Sequence, residues 1–393
     1  METAQFQPIQ QNQRIVIIDA LRGWALLGVV LMNYIDYYYL GVDTATHKTG
    51  VFSTILLVTG NIVFSAKSWT MLSFLFGYGF AVLMGNTAAK GINANAFFLR
   101  RMFWLLVLAI INSALFWGDI LKDYAVMGAL LLLFHRCSAK TALYLCVALF
   151  LITPAISSYI NSIDTSNSLK TLALYLPLYT SHNLLNVLWF GLVGTWYEQV
   201  IGLNYLVTVH IVMFACFLLG LAAQKVNFFG RLVENKDVIK KIFWYSLVAI
   251  IVLIGIIALL GKPPHNLAVK YYNFSYWIII AFMLLIASGL CWLFLDGKLK
   301  KFFISMQVIG KMTLTNYIMQ NAIGLLLFSG FGLGFGVTHK LDPGYYFLFA
   351  LVIYIAQVYF SKWWLSKYYY GPVEWLWRQL SYGKRLPIKK VAE

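Results

Sequence analysis

Charged residues are scarce in this chain of 393 residues. They make up 11% of it, and only 14 are acidic against 30 lysines and arginines. Soluble domains carry about 25% charged residues. Hydrophobic residues account for 61% of the chain, and apolar stretches long enough to cross a bilayer recur throughout it. These proportions exclude a set of soluble domains and predict an all-α, polytopic integral membrane protein.

The common catalytic sequence patterns are also missing. The chain has no HExxH, GxSxG or P-loop pattern and no paired carboxylates. ATPase, metalloprotease and serine hydrolase functions therefore have no support, and we expect no metal cofactor. The four cysteines lie in or beside apolar segments without CxxC spacing. They are expected to pack in the interior rather than to form disulfides or bind metal.

Apolar length predicts about ten membrane spans, plus extra interfacial helices. The spans are 15–38, 52–86, 97–117, 121–136, 141–160, 204–224, 241–260, 274–295, 302–328 and 344–366. The second is too long for one simple crossing, and Gly60, Asn61 and Lys67 predict a break before a crossing at 68–86. Residues 183–200 are typical of an interfacial amphipathic helix.

The formal net charge of +16 is explained by membrane topology without a nucleic-acid partner. If both termini are cytoplasmic, most basic residues fall on the cytoplasmic side, in agreement with the positive-inside rule. Two cytoplasmic termini require an even number of spans. The chain is then one transmembrane domain, 1–393, with a polar tail at 1–13 and no evident signal peptide. Residues 371–393 are predicted to form a cytoplasmic interfacial helix and a basic tail that contacts membrane lipids. Interfacial aromatic residues permit a homodimer without specifying one.

The first span carries the most informative polar pair. Asp19 and Arg22 are three residues apart near its start, so they share one helix face and can pair. An ionisable group inside a span indicates function by default, because lipid-facing charge is costly. The alternative is an interfacial arginine that reaches the headgroups and pairs with Asp19 for folding only.

Two further polar residues have both a structural and a functional interpretation. Lys67 precedes a glycine-containing segment. It either extends to the interface beside closely packed helices or stabilises a developing oxyanion. Asp119 lies in a tight turn between the third and fourth spans. Capping of the fourth helix is favoured there over orientation of a catalytic group.

Polar residues in the last part of the chain can be read in two ways as well. Thr313, Asn316 and Gln320 form a stripe at i, i+3 and i+7 of the ninth span. The stripe must face protein or a cavity, and hydrogen bonding between helices is an equal alternative to ligand binding. Arg378 either anchors the interfacial helix beside its tryptophans or contacts a cytoplasmic anionic cofactor.

Histidines suited to general-base catalysis are few. His47 and His182 are predicted in outer loops and are weak candidates. His135 is predicted on the cytoplasmic side, and His210 near the outer end of the sixth span. A lone histidine usually has a structural role, so none of these by itself identifies an active site.

Several motifs together resemble the YeiB-like bacterial membrane proteins, a family defined by a domain of unknown function. They occur in the expected order along nearly the whole chain, and the first and last are the most specific. The motifs are residues 18–28, 73–79, 100–101, 118–121, 312–317 and 371–378.

This family is similar to the transmembrane acyltransferases, which include heparan-α-glucosaminide N-acetyltransferase and the acyltransferase-3 enzymes. The resemblance implies transfer of an acyl group from cytoplasmic acyl-CoA, with acetyl-CoA the first choice, to a hydroxyl or amine on the other side of the bacterial inner membrane. The acceptor would be a small molecule, a glycan or another envelope component. The implied donor contacts, with Asp19 holding Arg22, are Asp19, Arg22, Arg100, Arg101, Lys311, Asn316, Gln320 and Arg378.

The chain departs from these families where they carry histidine. Asn33 follows Arg22 by eleven residues, the spacing at which acyltransferase-3 enzymes have a histidine, and Asn112 replaces a third-span histidine of many YeiB-like proteins. His47 is a loose counterpart of the heparan-type histidine. The resemblance then leaves His47, His182 or Asp36 as general base, with Lys67 or Asn33 stabilising the oxyanion, and Asn112 and Asp119 as further catalytic candidates.

Two other function classes stay open at this point. One is a transporter or permease for a small anionic or amphipathic solute, against which the lack of a detectable inverted repeat argues mildly. The other is a lipid-binding membrane protein without catalytic activity, which the missing histidine favours. A cavity that fits CoA would favour the acyltransferase, whereas lipid binding alone would favour the last class.

Overall fold

The computed structural model describes residues 15–40, 49–163, 168–260, 270–338 and 341–390. All regular elements within these ranges are helices. The predicted all-α, polytopic architecture is therefore confirmed.

The helices are numbered here in chain order. They are α1 (Val16–Tyr39), α2 (Val51–Val63), α3 (Lys67–Ala89), α4 (Ala94–Leu115), α5 (Leu121–Leu131), α6 (Ala139–Ile163), α7 (Ser168–Ala173), α8 (Leu176–Tyr179), α9 (Leu184–Thr195), α10 (His210–Lys225), α11 (Lys236–Leu260), α12 (Ser275–Leu295), α13 (Lys300–Gly310), α14 (Thr313–Phe328), α15 (Phe335–Thr338), α16 (Pro343–Lys367) and α17 (Pro372–Tyr382). Short 3-10 or π-helical turns extend α5, α9 and α10 at Leu132–Phe134, Trp196–Ile201 and Tyr205–Val209.

Eight helical segments in the described ranges are long and apolar enough to cross a membrane. Two of the ten predicted spans differ from the prediction. The span predicted at 121–136 is an α-helix of 11 residues followed by a 3-10 turn. The span predicted at 302–328 is wrong as a single helix, because the chain breaks at Lys311 and Met312 between α13 and α14.

The predicted break in the second span is confirmed at residues 64–66, between α2 and α3. Ala66 has a φ of 58°, a left-handed conformation that ends α2. The buried Lys67 side chain turns back, and its Nζ donates to the carbonyl oxygen of Asn61 at 2.8 Å. That carbonyl belongs to the last turn of α2, where helices leave carbonyls unpaired and favour cations. Lys67 therefore caps α2 from the next helix.

Glycines bring the central helices into backbone contact. A Cβ atom at Gly310 of α13 would overlap the carbonyl oxygen of Asp19 on α1, and one at Gly23 would overlap that of Met306. Within lipid, helices associate by close packing and not by the hydrophobic effect, and small residues permit such close packing. The contact fixes α13 against the start of α1, the part of the helix that carries Asp19.

The helix predicted over 183–200 is present and lies against the α4–α5 turn. Asn183 caps α9 by accepting the amide hydrogen of Leu185 at 2.9 Å. Further along, the Thr195 hydroxyl donates to the Trp117 carbonyl at 3.0 Å. This helix covers the turn that carries Asp119.

Candidate functional site

A cavity of about 450 Å³ lies among α1, α3, α4, α5, α14 and α17. Its lining residues are as much as 363 positions apart in the chain (15 to 378), and they include basic and apolar side chains. Five of the eight predicted donor contacts line it. They are Asp19, Arg22, Arg101, Lys311 and Arg378.

Asp19 pairs with Arg22, as the sequence predicts. Its Nη1 lies 3.2 Å from Asp19 Oδ1, and the Arg22 side chain is 33% exposed against 10% for Asp19. A guanidinium has five N–H donors. One contact with Asp19 therefore orients Arg22 and leaves donors for an anionic ligand in the cavity.

Aromatic rings support the other two arginines. The Arg101 guanidinium lies 3.7 Å from the ring centre of Trp377, and Trp377 Nε1 donates to the Arg101 carbonyl at 2.9 Å. Arg378 lies 4.7 Å from the ring centre of Tyr370. Such stacking engages the guanidinium face. The edge that forms bidentate hydrogen bonds with phosphate is not used by the ring.

The acid of the last motif, Glu374, has a structural task inside this basic site. Its Oε1 accepts amide hydrogens from Leu314 at 2.7 Å and from Thr315 at 3.1 Å, and Oε2 accepts the Thr315 hydroxyl. These amides belong to the first turn of α14, whose unpaired N–H groups favour an anion. Glu374 therefore caps α14 and accounts for the break between α13 and α14.

The charges of the cavity lining do not balance. Four basic side chains face two acids. Asp19 is engaged by Arg22, and Glu374 is engaged by the start of α14. The basic part of the cavity therefore attracts an anion, and its three arginines match the bidentate geometry of phosphate.

The burial of the Glu374 carboxyl predicts how the stability of the fold depends on pH. Burial raises the pKa of Glu374 above its usual range, and hydrogen bonds from Thr315 and Leu314 offset part of that effect. A carboxyl with a raised folded-state pKa stabilises the fold when protonated, and this contribution is lost as pH rises from the unfolded pKa, about 4.3, through the folded value. The melting temperature measured from pH 4 to pH 8 should therefore fall less with rising pH in Glu374→Gln than in the wild type. If Glu374→Gln showed the same pH dependence of unfolding as the wild type, Glu374 would not be the group whose titration lowers the stability.

The Glu374→Ala variant separates capping from charge. It removes both acceptors from the α14 amides, and loss of a helix cap costs about 1–2 kcal/mol. We expect a lower melting temperature for Glu374→Ala than for Glu374→Gln throughout the same pH range.

Away from the arginines the cavity wall becomes apolar. Leu26, Leu72, Phe76 and Leu105 line this part, which also includes Tyr317 of α14. A flexible, largely uncharged chain attached to a phosphate group would match this sequence of surfaces.

Tyr317 connects the cavity to a buried polar network. Its hydroxyl donates to Asp119 Oδ1 at 3.1 Å, and Asn112 Nδ2 donates to the same oxygen at 2.7 Å. Asp119 also accepts the amide hydrogen of Leu121 at 3.2 Å, in the first turn of α5. Asn321 completes the network by donating to Asn112 Oδ1 at 3.1 Å. Two predicted catalytic candidates, Asn112 and Asp119, thus come together and reach the cavity through Tyr317.

Two of the three stripe residues on α14 bond to a neighbouring helix, whereas Thr313 lines the cavity. Asn316 Nδ2 donates to Ser361 Oγ at 2.9 Å, and Gln320 Nε2 donates to Gln357 Oε1 at 2.6 Å. Both partners belong to α16. Asn316 and Gln320 therefore join α14 to α16, as the alternative interpretation of the stripe expects.

The other predicted site residues do not line this cavity. Arg100 is exposed beside Gly383, and His182 is exposed just before α9. Asn33 lies on α1 outside the lining, and Lys67 caps α2. His47 lies outside the described residues.

A buried ionic cluster beside α5 was not predicted. His210 Nε2 lies 3.1 Å from Asp123 Oδ1, while Nδ1 lies 2.5 Å from the Leu206 carbonyl oxygen. Tyr205 and Lys122 donate to Asp123 Oδ2 at 2.8 and 3.1 Å. Both ring nitrogens of His210 thus have a hydrogen-bond partner within the protein. This arrangement favours a structural role for His210 in the cluster.

The fold and the cavity together define a multi-pass helical membrane protein with an internal basic cavity. Residues 223–384 match the family described as "Protein of unknown function (DUF418)". This range includes Lys311, Glu374, Trp377 and Arg378 of the cavity lining.

Proteins from three bacteria are similar to the chain. The uncharacterized protein YxaH of Bacillus subtilis is 28% identical, with 98% of each chain covered. An uncharacterized 39.9 kDa protein of Bacillus acidopullulyticus is 26% identical, with 98% of this chain and 99% of that protein covered. The uncharacterized protein YeiB of Escherichia coli is 38% identical over 81 residues, covering 21% of this chain and 20% of that protein. These matches confirm the YeiB-like relationship predicted from the motifs.

Proposed function

We propose that this protein is a membrane acyltransferase that takes an acyl group from acyl-CoA and passes it to a hydroxyl or amine acceptor reached from the opposite side of the bacterial inner membrane. The observation that carries the proposal is the order of surfaces within one cavity. Three arginines and a lysine line its basic part, and apolar side chains line another part. Tyr317 also lines the cavity and donates to the buried Asp119.

The chemistry of acyl-CoA fits this order. Its phosphates would pair with Arg22, Arg101 and Arg378, whose combined charge exceeds that of the cavity acids. Its pantetheine arm and acyl group would extend along Leu26, Leu72 and their apolar neighbours. Acetyl-CoA remains the first choice of donor.

The buried pair supplies a route for the proton that the reaction releases. Tyr317 lines the cavity and donates to Asp119, so it can take up the hydrogen of the acceptor group as its own proton moves to Asp119. The acceptor oxygen or nitrogen attacks the thioester carbon, the C–S bond breaks, and the proton passes through Tyr317 to Asp119. The CoA thiolate then takes up a proton from solvent while Asp119 returns its proton to solvent, and the products are an ester or amide and free CoA.

Acetyl-CoA turnover by purified protein tests this chemistry, with glucosamine as a probe acceptor and release of the CoA thiol as the readout. Tyr317→Phe should bind acetyl-CoA as the wild type does, yet lower the rate about 100-fold or more, since acid–base groups typically contribute about 10²–10⁴.

Tyr34→Phe is the matched control. Tyr34 is buried and its hydroxyl donates to the Gln320 carbonyl at 2.9 Å, but it does not line the cavity. This variant loses one buried tyrosine hydrogen bond and should keep the wild-type rate. Equal rates for Tyr317→Phe and the wild type would remove Tyr317 from the mechanism.

A further inference from the structure

A second cavity, of about 650 Å³, lies at the end of the bundle where α3 and α10 finish and α4 begins. This end also carries His135 and Arg136, after the 3-10 turn that follows α5. The positive-inside pattern assigns it to the cytoplasm. None of the cations that line the first cavity lines this one, although Phe80 contributes to both linings.

The polar part of this second cavity is basic. Arg136 and Lys225 line it, and no aspartate or glutamate is among its described lining residues. Lys225 Nζ donates to the His135 carbonyl at 3.0 Å, which leaves two of its three N–H donors available. The His135 ring donates from Nδ1 to the Leu132 carbonyl at 2.6 Å, so its Nε2 is the ring atom left for a ligand.

Apolar side chains form another part of the lining, beside the polar Asn93, Asn95 and Gln224. Phe80, Ala81 and Met84 of α3 and Leu221 of α10 contribute to it. Leu133, next to this region in the chain, is 77% exposed. An exposed leucine on a membrane helix end is expected where the protein faces lipid. The cavity therefore combines cations with an apolar surface at the level where spanning helices meet the headgroups.

We propose that this cavity binds the phosphate of an anionic membrane phospholipid. Arg136 and Lys225 pair with the headgroup phosphate, His135 Nε2 contacts a headgroup hydroxyl, and one acyl chain lies along Phe80 and Met84. Basic pockets between spanning helices at the cytoplasmic surface suit such headgroups. The apolar lining selects a phospholipid over a soluble phosphate, which would leave that surface without a partner.

Native mass spectrometry of the full-length protein, exchanged into detergent with phosphatidylglycerol, phosphatidylcholine or inorganic phosphate, tests the site. We expect one retained phosphatidylglycerol per protein and little phosphatidylcholine. The double variant Arg136→Gln/Lys225→Gln should weaken phosphatidylglycerol binding about 30-fold. Each cation near a membrane surface contributes about a factor of five to lipid binding, and the two factors multiply.

Lys140→Gln/Lys241→Gln is the matched control. Both lysines are exposed and lie outside the cavity, and the net charge falls by the same amount. This control should retain phosphatidylglycerol as the wild type does, and both double variants should still bind acetyl-CoA. Equal loss in the two double variants would overturn the site. Inorganic phosphate that binds as tightly as phosphatidylglycerol would overturn the assignment to lipid.

Discussion

Acetyl-CoA binding should weaken about 100-fold or more when Asp19 and Arg22 are replaced together by Asn and Gln. Arg22 is the cavity arginine with the most directly defined orientation, since it is held 3.2 Å from Asp19 within the lining. A charge-assisted hydrogen bond contributes about 1.5–3 kcal/mol, and a bidentate guanidinium–phosphate contact contributes two of them. Calorimetric titration of the purified variant measures this loss directly.

The double replacement is preferred because the single variant Arg22→Gln leaves Asp19 without its partner in a site where that side chain is only 10% exposed. An unpaired buried carboxylate destabilises the fold and would confuse loss of binding with loss of structure. Arg100→Gln is the control for lost positive charge, since Arg100 is exposed and outside the cavity. Wild-type affinity in the folded double variant would exclude Arg22 from the donor site.

Gly310→Ala should lower the free energy of unfolding by about 3 kcal/mol or more. The added methyl group would overlap the Asp19 carbonyl oxygen and come close to the Gly23 backbone. Overpacking typically costs about 1–3 kcal/mol, and backbone on both sides cannot move away as the end of a side chain can. Thermal unfolding of the purified protein, followed by circular dichroism, measures the effect.

Gly255→Ala provides the contrast. Gly255 lies in α11, and a Cβ atom there would have nothing within 4 Å. Alanine favours the helix over glycine by up to about 1 kcal/mol, so this control should be neutral or slightly stabilising. If Gly310→Ala unfolded at the same temperature as Gly255→Ala, the close contact between α1 and α13 would be wrong.

The sequence predicts the features that depend on neighbouring residues. Apolar length locates most spans to within a few residues, because a helix in lipid must satisfy its own backbone over a fixed thickness. The i,i+3 spacing of Asp19 and Arg22 predicts their pairing for the same local reason, and the 3.2 Å contact confirms it. Lys67 marks the break in the second span because a charged residue is costly within a continuous apolar helix.

Features made by distant residues are those that could not be predicted. The break between α13 and α14 depends on Glu374, which lies 60 residues beyond Leu314. Tyr317 and Asp119 are 198 residues apart, and His210 and Asp123 are 87 apart. Sequence periodicity indicates which residues share a helix face, but it does not say whether that face meets a cavity or another helix. Asn316 and Gln320 therefore had two equal interpretations until α16 supplied their partners.

The most direct test of the acyltransferase account is calorimetric titration of the wild-type protein in detergent with acetyl-CoA, and then with 3′-dephospho-CoA. The account predicts saturable binding of one acetyl-CoA per chain. Binding should weaken when the 3′-phosphate is absent, because the arginines of the cavity recognise phosphate. Absence of saturable binding by folded protein, for acetyl-CoA and for longer acyl-CoA alike, would contradict it and would favour the transporter or lipid-binding classes.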